Sequence, residues 1–170
     1  MARYGTLAAA IIAALVLGGA ADAETDFLDR FNQSWSGKGK VQRNAKSGVD
    51  RVSCDLTGNR AGNRVAIAGT CRAYLVFSRT IAADLTFDPD SGEVTGTYTG
   101  SRAGVAKLSG RREGDTVRLA MRWPRPVNGD TEAAMTIRTS ENGSLRIVVS
   151  DALEPGGAVA AVTDVALEPN

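Results

Sequence analysis

The chain has 170 residues, with 20 Lys and Arg against 19 Asp and Glu, a formal net charge of +1, and no histidine. The balanced charge lacks the concentrated basic face that nucleic-acid binding needs, so we expect no nucleic-acid partner. The missing histidine excludes Ser-His-Asp and Cys-His catalysis as usually built and removes the commonest transition-metal ligand, so we expect no metal or other cofactor.

Residues 1–23 have the features of a secretory signal peptide. Arg3 supplies a positive charge, Leu7–Leu17 is an apolar segment, and Ala21-Asp22-Ala23 matches a small-x-small cleavage site. An uncleaved membrane anchor is the alternative, but the apolar segment is shorter than the roughly 20 residues that a span needs. We therefore predict cleavage after Ala23, a periplasmic or secreted protein, and no membrane span in the mature chain.

Residues 24–170 are predicted to form a single domain of antiparallel strands. Short runs of alternating apolar and polar residues are separated by turn residues, as is typical of a β-sandwich or β-barrel. A short amphipathic helix is predicted at 25–31, and Pro124 and Pro126 are predicted to leave their strand. Strands are predicted near 34–43, 50–58, 64–73, 80–87, 93–100, 103–110, 116–123, 131–139, 144–150 and 160–167.

The short connections between these strands favour an all-β fold that closes on itself. In an up-and-down barrel every strand pairs with its sequence neighbours, and closure leaves no exposed edge. We therefore predict a single antiparallel barrel of about 8–10 strands. A two-sheet sandwich is the alternative.

The two cysteines are placed symmetrically around the turn dipeptide Gly62-Asn63. A two-residue hairpin there puts Cys54 opposite Cys71 in a non-hydrogen-bonded pair, in which Cα atoms approach to about 4.5 Å. That separation is within disulfide range. We predict a cross-strand disulfide and an oxidising compartment, with two free buried thiols as the alternative.

The hairpin sequence recurs later in the chain. Residues 56–68 match residues 108–120 at six of thirteen positions, including both turn glycines. The match aligns Cys54 with Ala106 and Cys71 with Trp123, which predicts a small–large pair and an inward Trp123. Duplication of a hairpin and convergence of two good hairpin turns both account for the repeat.

The apolar face of the predicted strands supplies candidates for a ligand-binding interior. They are Trp35, Leu56, Ile67, Leu85, Leu119, Met121 and Trp123. Small-molecule sites are typically concave and apolar. Inward glycines such as Gly58 and Gly69 either leave room for a ligand or permit the strands to bend.

Catalytic residues are not evident on this predicted inner face. Acidic positions such as Asp55, Asp84 and Asp115 fall on outward faces or turns, and no serine or threonine has an activating partner. We therefore predict a non-enzymatic protein that binds a small apolar ligand. The oligomeric state is left open.

The segment Phe31-x-x-x-Trp35-x-Gly37-x-Gly39 resembles the opening of small calycin barrels, the lipocalin group. In that group a tryptophan on the first strand closes the bottom of the barrel. The usual Gly-x-Trp is Gln33-Ser34-Trp35 here. The resemblance implies a calycin-like barrel.

Trp35 followed by Cys54-Asp55-Leu56 and Ala68-Gly69-Thr70-Cys71 resembles the Inh-type periplasmic metalloprotease inhibitors, which are small barrels with one disulfide. In that family the free N-terminus enters the protease cleft, a role that would fall here to residues 24–26. The resemblance implies an alternative function as an envelope protein-interaction module, with an envelope or secreted protein as partner. The chain is also similar to small exported proteins of Gram-negative bacteria.

Overall fold

A computed structural model describes residues 25–74 and 77–170, so the predicted signal peptide lies outside the described residues. A helical turn over 25–29, α1, precedes ten strands. The strands are β1 (Ser34–Val41), β2 (Asp50–Ala61), β3 (Arg64–Ala73), β4 (Phe77–Phe87), β5 (Glu93–Ser101), β6 (Gly104–Glu113), β7 (Thr116–Val127), β8 (Asp130–Thr139), β9 (Leu145–Ala152) and β10 (Val159–Pro169).

The ten strands form one closed barrel. Each strand pairs antiparallel with its sequence neighbours, and β1 pairs with β10 from Trp35↔Pro169 to Val41↔Thr163. The barrel prediction is therefore confirmed and the sandwich is wrong. Closure buries the apolar face of every strand inside the barrel and leaves no exposed sheet edge.

The first hairpin has the register that the sequence predicts. Arg60 pairs with Val65, Leu56 with Gly69, and Cys54 with Cys71. The two cysteines form a disulfide across β2 and β3, with their Cα atoms 4.0 Å apart. A disulfide of this kind is typical of proteins in oxidising compartments.

The second hairpin also has the arrangement that the repeat predicts. The paired ladder of β6 and β7 runs up to Lys107↔Arg122, and Ala106 and Trp123 occupy the next position along the two strands. Ala106 is fully buried and Trp123 belongs to the hydrophobic core. The prediction of an inward Trp123 is confirmed.

The predicted end of β7 is wrong. The strand continues through Pro124 and Pro126 to Val127, whereas the sequence suggests that these prolines leave it. The ladder with β8 shifts register between Arg122 and Val127, so neither proline N atom is needed as a ladder donor. Proline already has the extended φ of a strand, and a break in pairing is enough to accommodate it.

One end of the barrel is closed by aromatic packing beneath α1. Phe27 contacts Phe31 and Phe87 edge-to-face, with ring centroids 5.4 and 6.0 Å apart. The Trp35 indole N–H donates to the carbonyl oxygen of Gly143 in the β8–β9 connection, at 2.7 Å. These side chains are buried and fill the interior of the barrel at this end.

Ion pairs hold the segment around α1 against the rim of the closed end. Arg30 pairs with Asp115 at 2.7 Å, and Arg60 pairs with Asp29 at 2.5 Å. Arg112 lies over the Phe27 ring, with its guanidinium carbon 4.0 Å from the centroid. Across the described ranges, the structure has no helix of the length and hydropathy needed to cross a membrane.

Candidate functional site

A cavity of about 600 Å³ occupies the half of the barrel opposite α1. It opens between the β1–β2, β5–β6 and β7–β8 connections, whose Arg43, Arg102 and Asn128 line it. Most lining side chains are apolar. They are Val41, Val52, Cys54, Leu56, Ile67, Cys71, Ala73, Phe77, Ile81, Ala82, Ala83, Trp123, Val127, Met135, Ile137, Ile147, Val149, Val162 and Val165.

The seven side chains predicted from sequence as ligand contacts divide between two regions of the interior. Leu56, Ile67 and Trp123 line the cavity. Trp35, Leu85, Leu119 and Met121 are buried in the core outside the cavity lining. Sequence alternation indicates which face a residue occupies, but not whether its neighbours fill the space in front of it. The assignment of these residues to ligand binding stays a prediction.

The inward glycines do not create the cavity. A Cβ at Gly58 would clash with the Phe31 carbonyl oxygen and the Trp35 ring, and a Cβ at Gly69 would clash with the Asp55 carbonyl oxygen. Gly96 is equally close to the Asp84 carbonyl oxygen. The structure therefore supports the second predicted role of these glycines. They let neighbouring strands approach closely, as is common where barrel strands bend, and do not leave room for a ligand.

Two polar side chains that the sequence did not single out line the β4–β5 wall. Arg79 lines the cavity and pairs across β3 and β4 with Cys71, beside the disulfide. Tyr98 lines the cavity from β5, and its burial raises the pKa of the phenol, while the charge of Arg79 lowers it. Within the described ranges, Arg79 has no ion pair and the Tyr98 hydroxyl has no hydrogen bond.

Gly100 makes room for this tyrosine. A Cβ at position 100 would lie 2.5 Å from the Tyr98 hydroxyl oxygen and 2.9 Å from a methyl group of Ile81. The phenol is therefore held between β4 and the end of β5. A glycine two residues after an inward tyrosine is the one sequence signal that could have suggested this packing.

A buried carboxyl group lies on the opposite part of the wall. Asp151 of β9 is only 4% exposed, and its Oδ1 accepts a hydrogen bond from the Ala152 N–H at 2.7 Å. Burial raises the pKa of Asp151, and the nearby charge of Asp130 raises it further. The backbone hydrogen bond opposes this shift by stabilising the carboxylate.

Trp123 connects the two polar regions of the cavity. Its ring packs edge-on against Tyr98, and its indole N–H faces Asp151 closely enough to lower the pKa of that carboxyl. The N–H nevertheless lacks a partner with hydrogen-bond geometry within the described ranges, although it is buried. Trp123 therefore lies between the Tyr98 ring and the Asp151 carboxyl group on the cavity wall.

The mouth of the cavity is held by hydrogen bonds between its connections. The Asn128 side-chain amide donates to the carbonyl oxygens of Arg43 and Ala152, at 3.0 and 2.9 Å. Arg43 also pairs with Asp50 at 3.5 Å, and the Tyr74 hydroxyl donates to the same carboxylate at 3.2 Å. Asn128 therefore links the β7–β8 connection to the β1–β2 connection and to the end of β9.

Comparisons with known proteins bear on the fold. No protein-family model matches the sequence, and no curated protein matches it either. The chain is similar in structure to Rv2717c from M. tuberculosis, whose crystal structure superposes with a TM-score of 0.66 at 14% sequence identity. The similarity covers 86% of this chain and 97% of Rv2717c. At this identity the likeness extends to the fold, a small closed β-barrel, and not to function.

Proposed function

We propose that this protein is a non-enzymatic carrier or receptor that binds a small apolar ligand inside its barrel. The observation that carries the proposal is the apolar cavity of about 600 Å³, which is open at one end. Cavities of roughly 300–1,000 Å³ with mainly apolar walls and a few polar groups are typical of small-molecule sites. Packed aromatic side chains form the base of the barrel, and the hydrogen bonds of Asn128 link the segments at the entrance.

The polar groups on the wall fit binding better than catalysis. Asp151 is the one buried acidic side chain among the described lining residues, and the chain has no histidine to act with it. Acid–base catalysis usually requires a second group placed to receive or return the proton. The disulfide fits a site of action in the periplasm or outside the cell.

This function is tested by native mass spectrometry of the mature protein from its own periplasm. Organic extraction of the same sample follows. We expect an additional mass that survives gentle ionisation and then appears in the extract. A protein that carries no extra mass, and that does not bind a neutral fluorophore such as 1-aminoanthracene, would contradict the proposal.

A matched pair of variants locates the binding. Ala73→Trp fills the cavity from β3, whereas Ala68→Trp adds the same ring to the outer face of that strand. We expect Ala73→Trp to abolish 1-aminoanthracene fluorescence enhancement and Ala68→Trp to retain it. Retained fluorescence in both variants would show that the fluorophore binds outside the cavity, and loss in both would show that the substitutions unfold the barrel.

A second candidate function is a protein-interaction module of the envelope, such as a protease inhibitor. It is favoured by the exposed large apolar residues among the described residues, all of which lie at the open end. They are Val49, Tyr74, Phe77, Val105 and Val159. Apolar side chains exposed around one end of a barrel are a candidate interaction surface.

Deletion of residues 24–26 separates the two functions. Phe27 and Leu28 are buried in the closed end, so residues up to Asp26 are the part of the described N-terminal segment outside the core. The deletion should abolish inhibition if the N-terminus enters a protease cleft. Ligand binding in the barrel should persist, because the cavity is at the other end.

A further inference from the structure

We propose that the ligand is an amphiphile, with an oxyanion head group bound by Arg79 and Tyr98 and an apolar tail that extends past the disulfide toward Leu56 and Ile67. This inference rests on the proposed ligand-binding function and specifies its chemistry. Four observations support it: the position of Arg79, its lack of an ion pair, the free hydroxyl of Tyr98, and the charge of the cavity mouth.

The position of Arg79 is set by the strand register. In β4, Ala83, Leu85 and Phe87 are buried inside the barrel, and Arg79 falls on the same alternate face. Arg79 lines the mouth of the cavity and is exposed to solvent, so its charge is not used in packing the core. No carboxylate of the described residues lies within salt-bridge distance of its guanidinium, which leaves Arg79 available to an anionic group that enters the mouth.

Tyr98 supplies a second donor on the same wall. Its ring is fixed by the edge-on contact with Trp123 and by the space that Gly100 leaves. The hydroxyl is free to donate, and Arg79 lines the same cavity, so a phenol and a guanidinium are both available to an oxyanion. Hydrogen bonds from a cation and a phenol to a carboxylate or phosphate are charge-assisted and short.

The charge balance of the lining also favours an anion at this wall. Asp50 is paired with Arg43, which leaves Arg79 and Arg102 on the β4–β6 side without carboxylate partners in the described ranges. Asp151 lies on β9, on the far side of Trp123 from Tyr98. The head group therefore belongs on the Arg79 side, away from the one buried carboxyl group.

Matched probes with one chain and different head groups test this inference. Dodecanoate and dodecyl phosphate carry an oxyanion, and 1-dodecanol is the neutral control; each is measured by calorimetry or by displacement of 1-aminoanthracene at pH 7.5. We expect the better anionic probe to bind at least about tenfold more tightly than dodecanol. The comparison of carboxylate with phosphate then identifies which class of amphiphile supplies the head group.

Arg79→Met is expected to weaken binding of the anionic probes about tenfold and to leave dodecanol within about twofold. Tyr98→Phe should weaken the anionic probes less, again without changing dodecanol. Arg64→Met is the control, because Arg64 is exposed at the start of β3, at the closed end. Melting curves of all the variants confirm that each barrel is folded.

Three outcomes would overturn the inference. Equal affinity for dodecanol and both anions in the natural protein would exclude an oxyanion subsite, while the proposed function would stand. Equal weakening of all probes by both Arg79→Met and Tyr98→Phe would show that these residues only support the cavity shape. Failure of every probe and of 1-aminoanthracene to bind would remove the proposed function as well.

Discussion

Tyr98 and Trp123 meet edge-to-face across a strand that separates them, with ring centroids 6.2 Å apart and ring planes at 71°. The contact is possible because Ala106 of the intervening β6 pairs with Tyr98 and has only a methyl side chain. The alternation of large and small side chains thus lets two aromatic rings from β5 and β7 form one wall of the cavity.

The first prediction concerns this methyl group. Ala106→Leu should lower the free energy of unfolding by about 1–3 kcal/mol, because the larger side chain forces the rings of Tyr98 and Trp123 apart. Urea unfolding measures the loss, and near-ultraviolet circular dichroism reports the altered aromatic packing. Lys107→Leu, on the exposed face of the same strand, should change stability by no more than about 0.5 kcal/mol. Equal effects of the two substitutions would contradict the packing argument.

The second prediction concerns the disulfide. Replacing both Cys54 and Cys71 with alanine removes a bond between positions 17 apart in sequence. A loop of this size contributes on the order of 3 kcal/mol in the chain-entropy model, so the urea midpoint should fall substantially. The natural protein with its disulfide reduced should show a similar midpoint. An unchanged midpoint after verified reduction would count against a stabilising role.

The third prediction concerns the pH dependence of stability. Burial raises the pKa of Asp151, so the folded state holds this proton more tightly than the unfolded state. The contribution of Asp151 to stability is therefore largest at low pH and falls as pH rises from about 3.8 through the folded-state pKa. Asp151→Asn should remove this fall, so that the variant gains stability relative to the natural protein as pH increases toward neutral.

Asp164 provides a control of opposite sign. Its two carboxylate oxygens accept hydrogen bonds from Arg146 at 2.9 and 2.8 Å, and this pairing lowers the pKa of Asp164. The pairing of Asp164 with Arg146 stabilises the folded protein above the ordinary pKa of Asp164, and this contribution is lost as pH falls. Asp164→Asn lacks the contribution, so its stability should fall relative to the natural protein as pH increases. If the stability of each variant relative to the natural protein did not change with pH, both assignments would be contradicted.

The fourth prediction tests the close approach at the closed end. Gly58→Ala would place a methyl group against the Phe31 carbonyl oxygen and the Trp35 ring, and should cost about 1–3 kcal/mol of unfolding free energy. Gly48→Ala adds the same methyl where no atom lies within 4 Å. We expect its effect to stay within about 0.5 kcal/mol, measured by urea unfolding. If Gly58→Ala were as mild as Gly48→Ala, the closed end would be more adaptable than its packing indicates.

The local sequence determined most of the barrel. Strand faces follow from alternation, and the Cys54–Cys71 register follows from counting outward from Gly62-Asn63, because side chains in a strand repeat every two residues. Both features depend on neighbours within one hairpin. The predicted end of β7 is wrong because Pro124 and Pro126 are accepted at a break in the pairing of β7 with β8. No local sequence pattern describes that break.

The candidate site was decided by tertiary structure. The sequence showed that Leu56, Leu85 and Leu119 face inward, but only the closed barrel distinguishes Leu56 on the cavity wall from the other two in the filled core. Arg79, Tyr98 and Asp151 are likewise far apart in the chain and come to one cavity through strand order and barrel closure. An empty volume is a property of all the side chains that surround it, and its chemistry depends on contacts that no single strand contains.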